Sequence, residues 1–146
     1  MPGVRVGSVI KYAYVLETVK PYMKNRFWET NYMQDEYPVK EATFKALIPE
    51  GKYFKYKTYN MSEKESKPVE RRVGKFVELS WVVKDVPPIV KEPNMPPVEE
   101  VSKRVAITSL KSWQEVAKWY SELAREAVKP DRLVRETTLK VVKGKW

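Results

Sequence analysis

Neither cysteine nor histidine occurs in this 146-residue chain. Their absence removes thiol nucleophiles, Ser-His-Asp and Cys-His constellations, thiolate zinc sites and imidazole general bases at once. Any acid or base would have to be Asp, Glu, Lys or Tyr, and no convergent set of these is visible, so the sequence argues against an enzyme acting alone. A chain without cysteine is compatible with either redox compartment. The five glycines form no phosphate-cradling loop. No stretch approaches the roughly 18 consecutive apolar residues of a membrane span. The N-terminus, MPGVRVGSVIKYAYVL, is interrupted by Arg5, Lys11 and Glu17 and has no small-residue cleavage site, so it does not read as a signal peptide. The pairs Asp35-Glu36 and Glu99-Glu100 read as solvated turn charges, because no Asx-rich loop surrounds them and adjacent strand residues face opposite ways. No metal or cofactor is expected.

What the chain does contain is aromatic and basic. Hydrophobic residues make up 42% and aromatics 12%, with five Trp and nine Tyr, which is the composition of a folded domain. The length fits one core. The formal charge is +9, from 28 Lys and Arg against 19 Asp and Glu, and it is spread along the chain; acidic partners such as nucleic acid or acidic polysaccharide therefore come into consideration.

Alternation of period two recurs before residue 84. Residues 9–19 place Ile10, Tyr12, Tyr14 and Leu16 on one side, residues 26–33 are aromatic and β-prone, and residues 40–48 align Ala42, Phe44, Ala46 and Ile48 ahead of the stop Pro49-Glu50-Gly51. Residues 52–59 and 75–83 complete five strand candidates, the last aligning Val77, Leu79, Trp81 and Val83, with residues 60–70 read as a polar loop between them. No crossover helices separate these runs, so the expected architecture is mainly β, an antiparallel sheet or sandwich. A short strand is expected at residues 104–108. Ser112 with Glu115 three residues on is a capping-box pattern, predicting one amphipathic helix over 113–128 that ends before Pro130. Trp113, Val116, Trp119, Tyr120 and Leu123 share its apolar half, which predicts packing on a sheet or a neighbouring domain. Residues 131–146 read as a final strand or a linker.

Five of the eleven prolines lie in the run VVKDVPPIVKEPNMPPVEE. They favour extended backbone, and Pro93-Asn94-Met95-Pro96 satisfies PxxP, a pattern frequent by chance. Val86, Ile89, Val90, Met95 and Val98 make the run too apolar for a solvated linker, so residues 86–98 read as a strap held on the domain surface. The stretch KYFKYKTY interleaves Lys with rings as a single-strand nucleic-acid platform would, yet period two makes it an ordinary half-buried strand, and nothing matches a nucleic-acid-binding signature. Nucleic acid is thus a disfavoured partner. The alternative of a stand-alone polyanion-binding module would use Lys52, Lys55, Lys57, Arg71 and Arg72.

The succession Val6-Gly7-Ser8-Val9-Ile10-Lys11-Tyr12, Phe27-Trp28, Pro38-Val39-Lys40, Ile48-Pro49-Glu50-Gly51, Trp81, Val86-Pro87, Lys91-Glu92-Pro93, Met95-Pro96-Pro97, Ser112-Trp113 and Trp119-Tyr120 resembles a bacterial family. Its members are β-rich domains of unknown function lying immediately upstream of transglutaminase-like, papain-like cores in large, often exported proteins. The resemblance spans residues 4–130. It implies a non-catalytic accessory domain, exported or in the cell envelope, whose partner is a transglutaminase-like or cysteine-protease-like core in the same or a neighbouring polypeptide. Family members carry further strands ahead of the VGSVIKY segment, so the sheet is expected to be incomplete at its N-terminus, with self-association through the open edge. The domain is expected to be residues 1–130, with 131–146 leading toward the catalytic domain. Trp81, Ile89, Pro93, Met95, Trp113, Trp119 and Tyr120 are the residues expected to pack at the core or the interdomain contact.

Overall fold

The computed structural model describes residues 3–125 and 127–143. Along them run β1 (Trp28–Tyr32), β2 (Val39–Pro49), β3 (Lys55–Tyr59), α1 (Glu63–Ser66), β4 (Val69–Val73), β5 (Phe76–Val86), α2 (Val98–Val101), β6 (Arg104–Thr108), α3 (Trp113–Ala124) and α4 (Arg132–Val142). The strands form two antiparallel three-stranded sheets: sheet A in the order β1-β6-β3, and sheet B in the order β2-β5-β4. The fold is therefore mainly β, as the alternating pattern predicts.

The chain crosses between the sheets repeatedly, and turn chemistry shapes both a crossing, from β2 to β3, and a hairpin within sheet B, from β4 to β5. After β2, Gly51 takes a positive φ of 77° at the third position of a turn closed by Lys52 N–H to the Pro49 carbonyl (3.0 Å), the position where a type II turn calls for glycine. β4 and β5 are joined by Gly74-Lys75, with Gly74 at φ 60° as the first central residue of a two-residue hairpin whose flanking pair is Val73↔Phe76.

The inner faces of the two sheets share one core. Leu79, Trp81 and Val83 of β5, Ile48 of β2, and Val105 and Ile107 of β6 are buried in it together with Met33 and Val86; Phe44, Ala46, Phe54 and Met61 pack around them. The predicted alignments of 42, 44, 46, 48 and of 77, 79, 81, 83 are both realised, because Phe44 pairs with Trp81, Ala46 with Leu79 and Ile48 with Val77.

Four expectations are corrected. Residues 9–19 form no strand: Tyr12 and Tyr14 stack at 6.2 Å, but among the described residues no strand pairs with the segment, and every side chain in it is exposed. Alternation specifies a face, whereas a strand also needs a partner for its backbone groups. Residues 60–70 are more than a loop, since they hold α1 and the start of β4. On β4 the pairings Glu70↔Leu79 and Arg72↔Val77 put charges toward the inner face, while Val69 and Val73 face outward; the strand thus lacks the apolar inner face that would reveal it, and such inward charges protect an edge from further pairing.

The tail at residues 131–143 is a helix rather than a strand. Asp131 caps α4, its Oδ1 accepting from Val134 N–H at 2.8 Å, and Leu133, Val134, Thr137, Thr138, Val141 and Val142 recur at helical spacing. Five of those six, at 134, 137, 138, 141 and 142, are Val or Thr, which favours strands locally, but cap and period prevail. Residues 144–146 lie outside the described residues. Finally, the predicted helix at 113–128 ends at Ala124, and residue 126 of that range is outside the described residues. It does not lie on a sheet: no residue of α3 is buried.

Candidate functional site

Outward-facing side chains of sheet A come into rows through the register. Trp28, Thr108 and Lys55 form one row, Thr30, Ala106 and Lys57 the next, and Tyr32, Arg104 and Tyr59 the third. The central strand β6 contributes the small residues Ala106 and Thr108, so the floor is low, whereas long side chains stand on β1 and β3. Trp113, the first residue of α3, adds a further ring at the Thr108 end. The result is a depression of about 570 Å³ lined by Trp28, Thr30, Lys55, Lys57, Tyr59 and Trp113, among others.

The face is cationic. The Arg104 guanidinium lies over the Tyr59 ring, Cζ 3.6 Å from its centroid, and Lys57 Nζ is 4.9 Å from the same ring. Arg104 Nε also donates to the Glu99 carbonyl at 2.6 Å. Of the predicted polyanion contacts, only Lys55 and Lys57 meet here. Lys52 Nζ donates to the Asn25 carbonyl at 2.7 Å, and Arg71 and Arg72 belong to β4 in the other sheet, where they pair with Glu78 and Glu50. Trp28, Thr30, Tyr59 and Arg104 complete the face; their parity along each strand is readable in the sequence, but cross-strand register is not.

The expected packing residues divide into two groups. Trp81 is 1% exposed at the centre of the core, stacked with Phe44 at 5.6 Å, edge-on to Tyr56 at 5.1 Å, and donating from Nε1 to the Ser66 carbonyl at 3.3 Å. Ile89 is half-buried and its N–H donates to the Asp35 carbonyl at 2.9 Å. The proline run is held chiefly by polar ties at its start: Gln34 Nε2 donates to the Pro87 carbonyl at 2.9 Å, and Lys91 Nζ lies 2.5 Å from Glu36, whose carboxylate pushes the lysine pKa up. Pro93 is exposed, and half-buried Met95 closes a turn through its N–H to the Glu92 carbonyl at 3.2 Å. The strap is thus tied to the β1–β2 connection, with fewer apolar anchors than its composition implies.

α3 is attached along one side only. Trp119 Nε1 donates to the Tyr22 carbonyl at 3.1 Å, and Arg26 pairs with Glu115. Ser112 caps the helix by accepting from Glu115 N–H, while the Glu115 carboxylate accepts from Lys111 N–H at 3.0 Å instead of reaching the Ser112 backbone. The Lys111 N–H first, and the Arg26 guanidinium beside it, hold the Glu115 carboxyl below the usual carboxylate range. Trp113, Tyr120 and Leu123 point into solvent at 84%, 63% and 63% exposure. The flank of α4 formed by Leu133, Val134, Val141 and Val142 is open as well.

Among the described residues there is no cluster of three or more metal-ligating side chains, and no helix is long and apolar enough to cross a membrane. A crystal structure from Parabacteroides distasonis ATCC 8503, of a protein described as a "putative protease", shares the fold at 20% identity with a TM-score of 0.63. The similarity covers 87% of this chain but only 24% of that one, so the chain spans about a quarter of its structural neighbour's length. No curated protein matches the sequence. Residues 1–90 match the family described as a domain of unknown function with a solved structure (DUF3857), and the chain belongs to that family.

Proposed function

We propose that this chain is a non-catalytic accessory domain that docks onto a transglutaminase-like or cysteine-protease-like core in the same or a neighbouring polypeptide. The observation that carries this reading is that the core closes between the two sheets without α3, α4 or residues 9–19, yet these segments hold Tyr120, Leu123, Leu133, Val134 and Val141 open to water. Apolar side chains grouped on exposed helix flanks mark contact surfaces in soluble proteins. Thiol and imidazole chemistry is absent from the 146 residues and would belong to the core. The shared fold with a quarter of a longer chain described as a protease supports the same arrangement.

The open reading frame around this segment tests the proposal. It is expected to encode, in the same or an adjacent gene, a domain with Cys, His and Asp in transglutaminase-like order; a genomic neighbourhood without one overturns it. With that core in hand, Tyr120→Asp combined with Leu123→Asp is expected to weaken its association with this chain by about a hundredfold or more, as loss of two apolar anchors does. The melting temperature of the chain itself should hardly change, because both side chains are exposed.

A further inference from the structure

The outer face of sheet A is used neither by the core nor by the proposed docking flanks. Its charge balance differs from the rest of the molecule. On sheet B, cations meet carboxylates across strands or at strand ends: Arg71 with Glu78, Arg72 with Glu50, Lys84 with Glu41 and Lys40 with Asp85. On sheet A, Lys55 makes no ion pair among the described residues, and Lys57 has only the Tyr59 ring. Two residues apart on one strand face, they stand about 6.7 Å from each other at Cα, near enough to repel. Glu29 also borders the depression, but its pairing with Ile107 assigns its side chain to the opposite face. The surface therefore presents uncompensated positive charge beside open indole rings, Trp28 at 47% and Trp113 at 84% exposure.

We propose that this depression binds an acidic saccharide, with a sugar ring lying against Trp28 and Trp113 and its carboxylate or sulfate held by Lys55 and Lys57. Pyranose rings present flat C–H faces that pack on an indole, and the Thr30 hydroxyl on the β1 side offers a polar contact. A volume of about 570 Å³ suits a short oligosaccharide, within the usual span of small-ligand sites. Single-stranded nucleic acid fits less well. It needs rings laid along the platform for successive bases, whereas the central strand here offers Arg104, Ala106 and Thr108, and Arg104 and Lys57 already lie against the Tyr59 ring.

The test is a titration of the whole chain, followed by tryptophan fluorescence and calorimetry, with a galacturonic acid trimer and a heparin-derived disaccharide as probes. Maltotriose and an oligothymidylate of similar length serve as comparators. At least one acidic saccharide is expected to saturate the protein below millimolar concentration, more tightly than either comparator, and to weaken as salt rises. Trp28→Ala is expected to cost about tenfold in Kd, and Lys55→Gln with Lys57→Gln about tenfold together with most of the salt dependence. Arg71→Gln with Arg72→Gln removes the same charge from the other sheet and should leave Kd within about twofold. Circular dichroism checks the fold of each variant, and the lysine pair decides the matter if Trp28→Ala is destabilised. No saturation by either acidic probe, tighter binding of oligothymidylate, or equal losses from the two charge pairs would each overturn the proposal. Failure here leaves the docking reading intact, since Tyr120 and Leu123 are not altered.

Discussion

Trp81 of β5 meets Tyr56 of β3 edge-on, with ring centroids 5.1 Å apart and planes at 73°, and this contact crosses from one sheet to the other. The indole also stacks on Phe44 and donates to the Ser66 carbonyl, so it ties β2, β3 and the α1 end together. Trp81→Ala is expected to destabilise the fold by about 3–5 kcal/mol, through the cavity left and the lost aromatic contacts. Trp81→Phe keeps ring packing but loses the N–H, and should cost less. Urea unfolding of the three proteins checks the order.

That contact also marks how much of the molecule is legible in the sequence. The parity of 77, 79, 81 and 83 places Trp81 on an inner face, and alternation along residues 52–59 separates Lys55 and Lys57 from Tyr56; the sheets show both, with Tyr56 turned toward Trp81. Ser112 as helix cap is equally local and equally visible. What escapes is non-local. β4 is an edge strand with its charges turned inward, residues 9–19 have the pattern of a strand without a partner, and α4 is written in β-branched residues whose helical spacing outweighs their strand preference. The outer face of sheet A needs the register of three strands before Trp28, Arg104 and Lys57 become neighbours. DUF3857 covers residues 1–90, so β6 and α3, which complete that face, fall beyond the matched segment.

The Lys103 ammonium lies 2.7 Å from both oxygens of the Glu65 carboxylate. Together with the Ser62 N–H, which donates at 2.8 Å in the capping box of α1, it lowers the Glu65 pKa from 4.5 to about 2. A carboxylate depressed in the folded state contributes stability that is present above its ordinary value and lost as the pH falls toward the folded one. Glu65→Gln is therefore expected to lower stability by about 2 kcal/mol at neutral pH, with the difference from the parent shrinking between pH 4.5 and about 2. Unfolding curves at several pH values check this, and a pH-independent difference would assign the cost to packing.

Asn60 and Ser102 make a contrasting pair. Asn60 adopts a left-handed φ of 55° and its Nδ2 donates to the carbonyls of Glu100 at 2.7 Å and Ser102 at 3.0 Å, fastening the end of α2 to the end of β3. Asn60→Ala is expected to cost about 1–3 kcal/mol, because it loses both bonds and strains the backbone. The Ser102 hydroxyl, by contrast, is fully buried with no hydrogen-bond partner among the described residues. Ser102→Ala removes that unsatisfied group and should be neutral or stabilising by up to about 1 kcal/mol. Thermal melts of the two variants should shift in opposite directions, or leave Ser102→Ala unmoved.

Glu115 decides how firmly α3 stays in place. Its carboxylate reaches both Lys111 N–H and Arg26, and Trp119 Nε1 donates to the Tyr22 carbonyl as a further tie; no residue of α3 is buried. Opening of α3 is therefore a local event that leaves the core between the sheets untouched, of the kind that amide exchange resolves. Glu115→Gln with Trp119→Phe is expected to speed exchange across α3 by about tenfold or more while the amides of β5 and β6 stay as protected as before. Because the Glu115 carboxyl is held below its ordinary value of 4.5, its contribution is complete above that pH and fades as the pH falls, so acid alone should loosen α3 before the sheets respond. Equal acceleration in α3 and in β5 would mean that the helix and the core open as one unit, and would remove the basis for treating the flank that carries Tyr120 and Leu123 as a separable docking element.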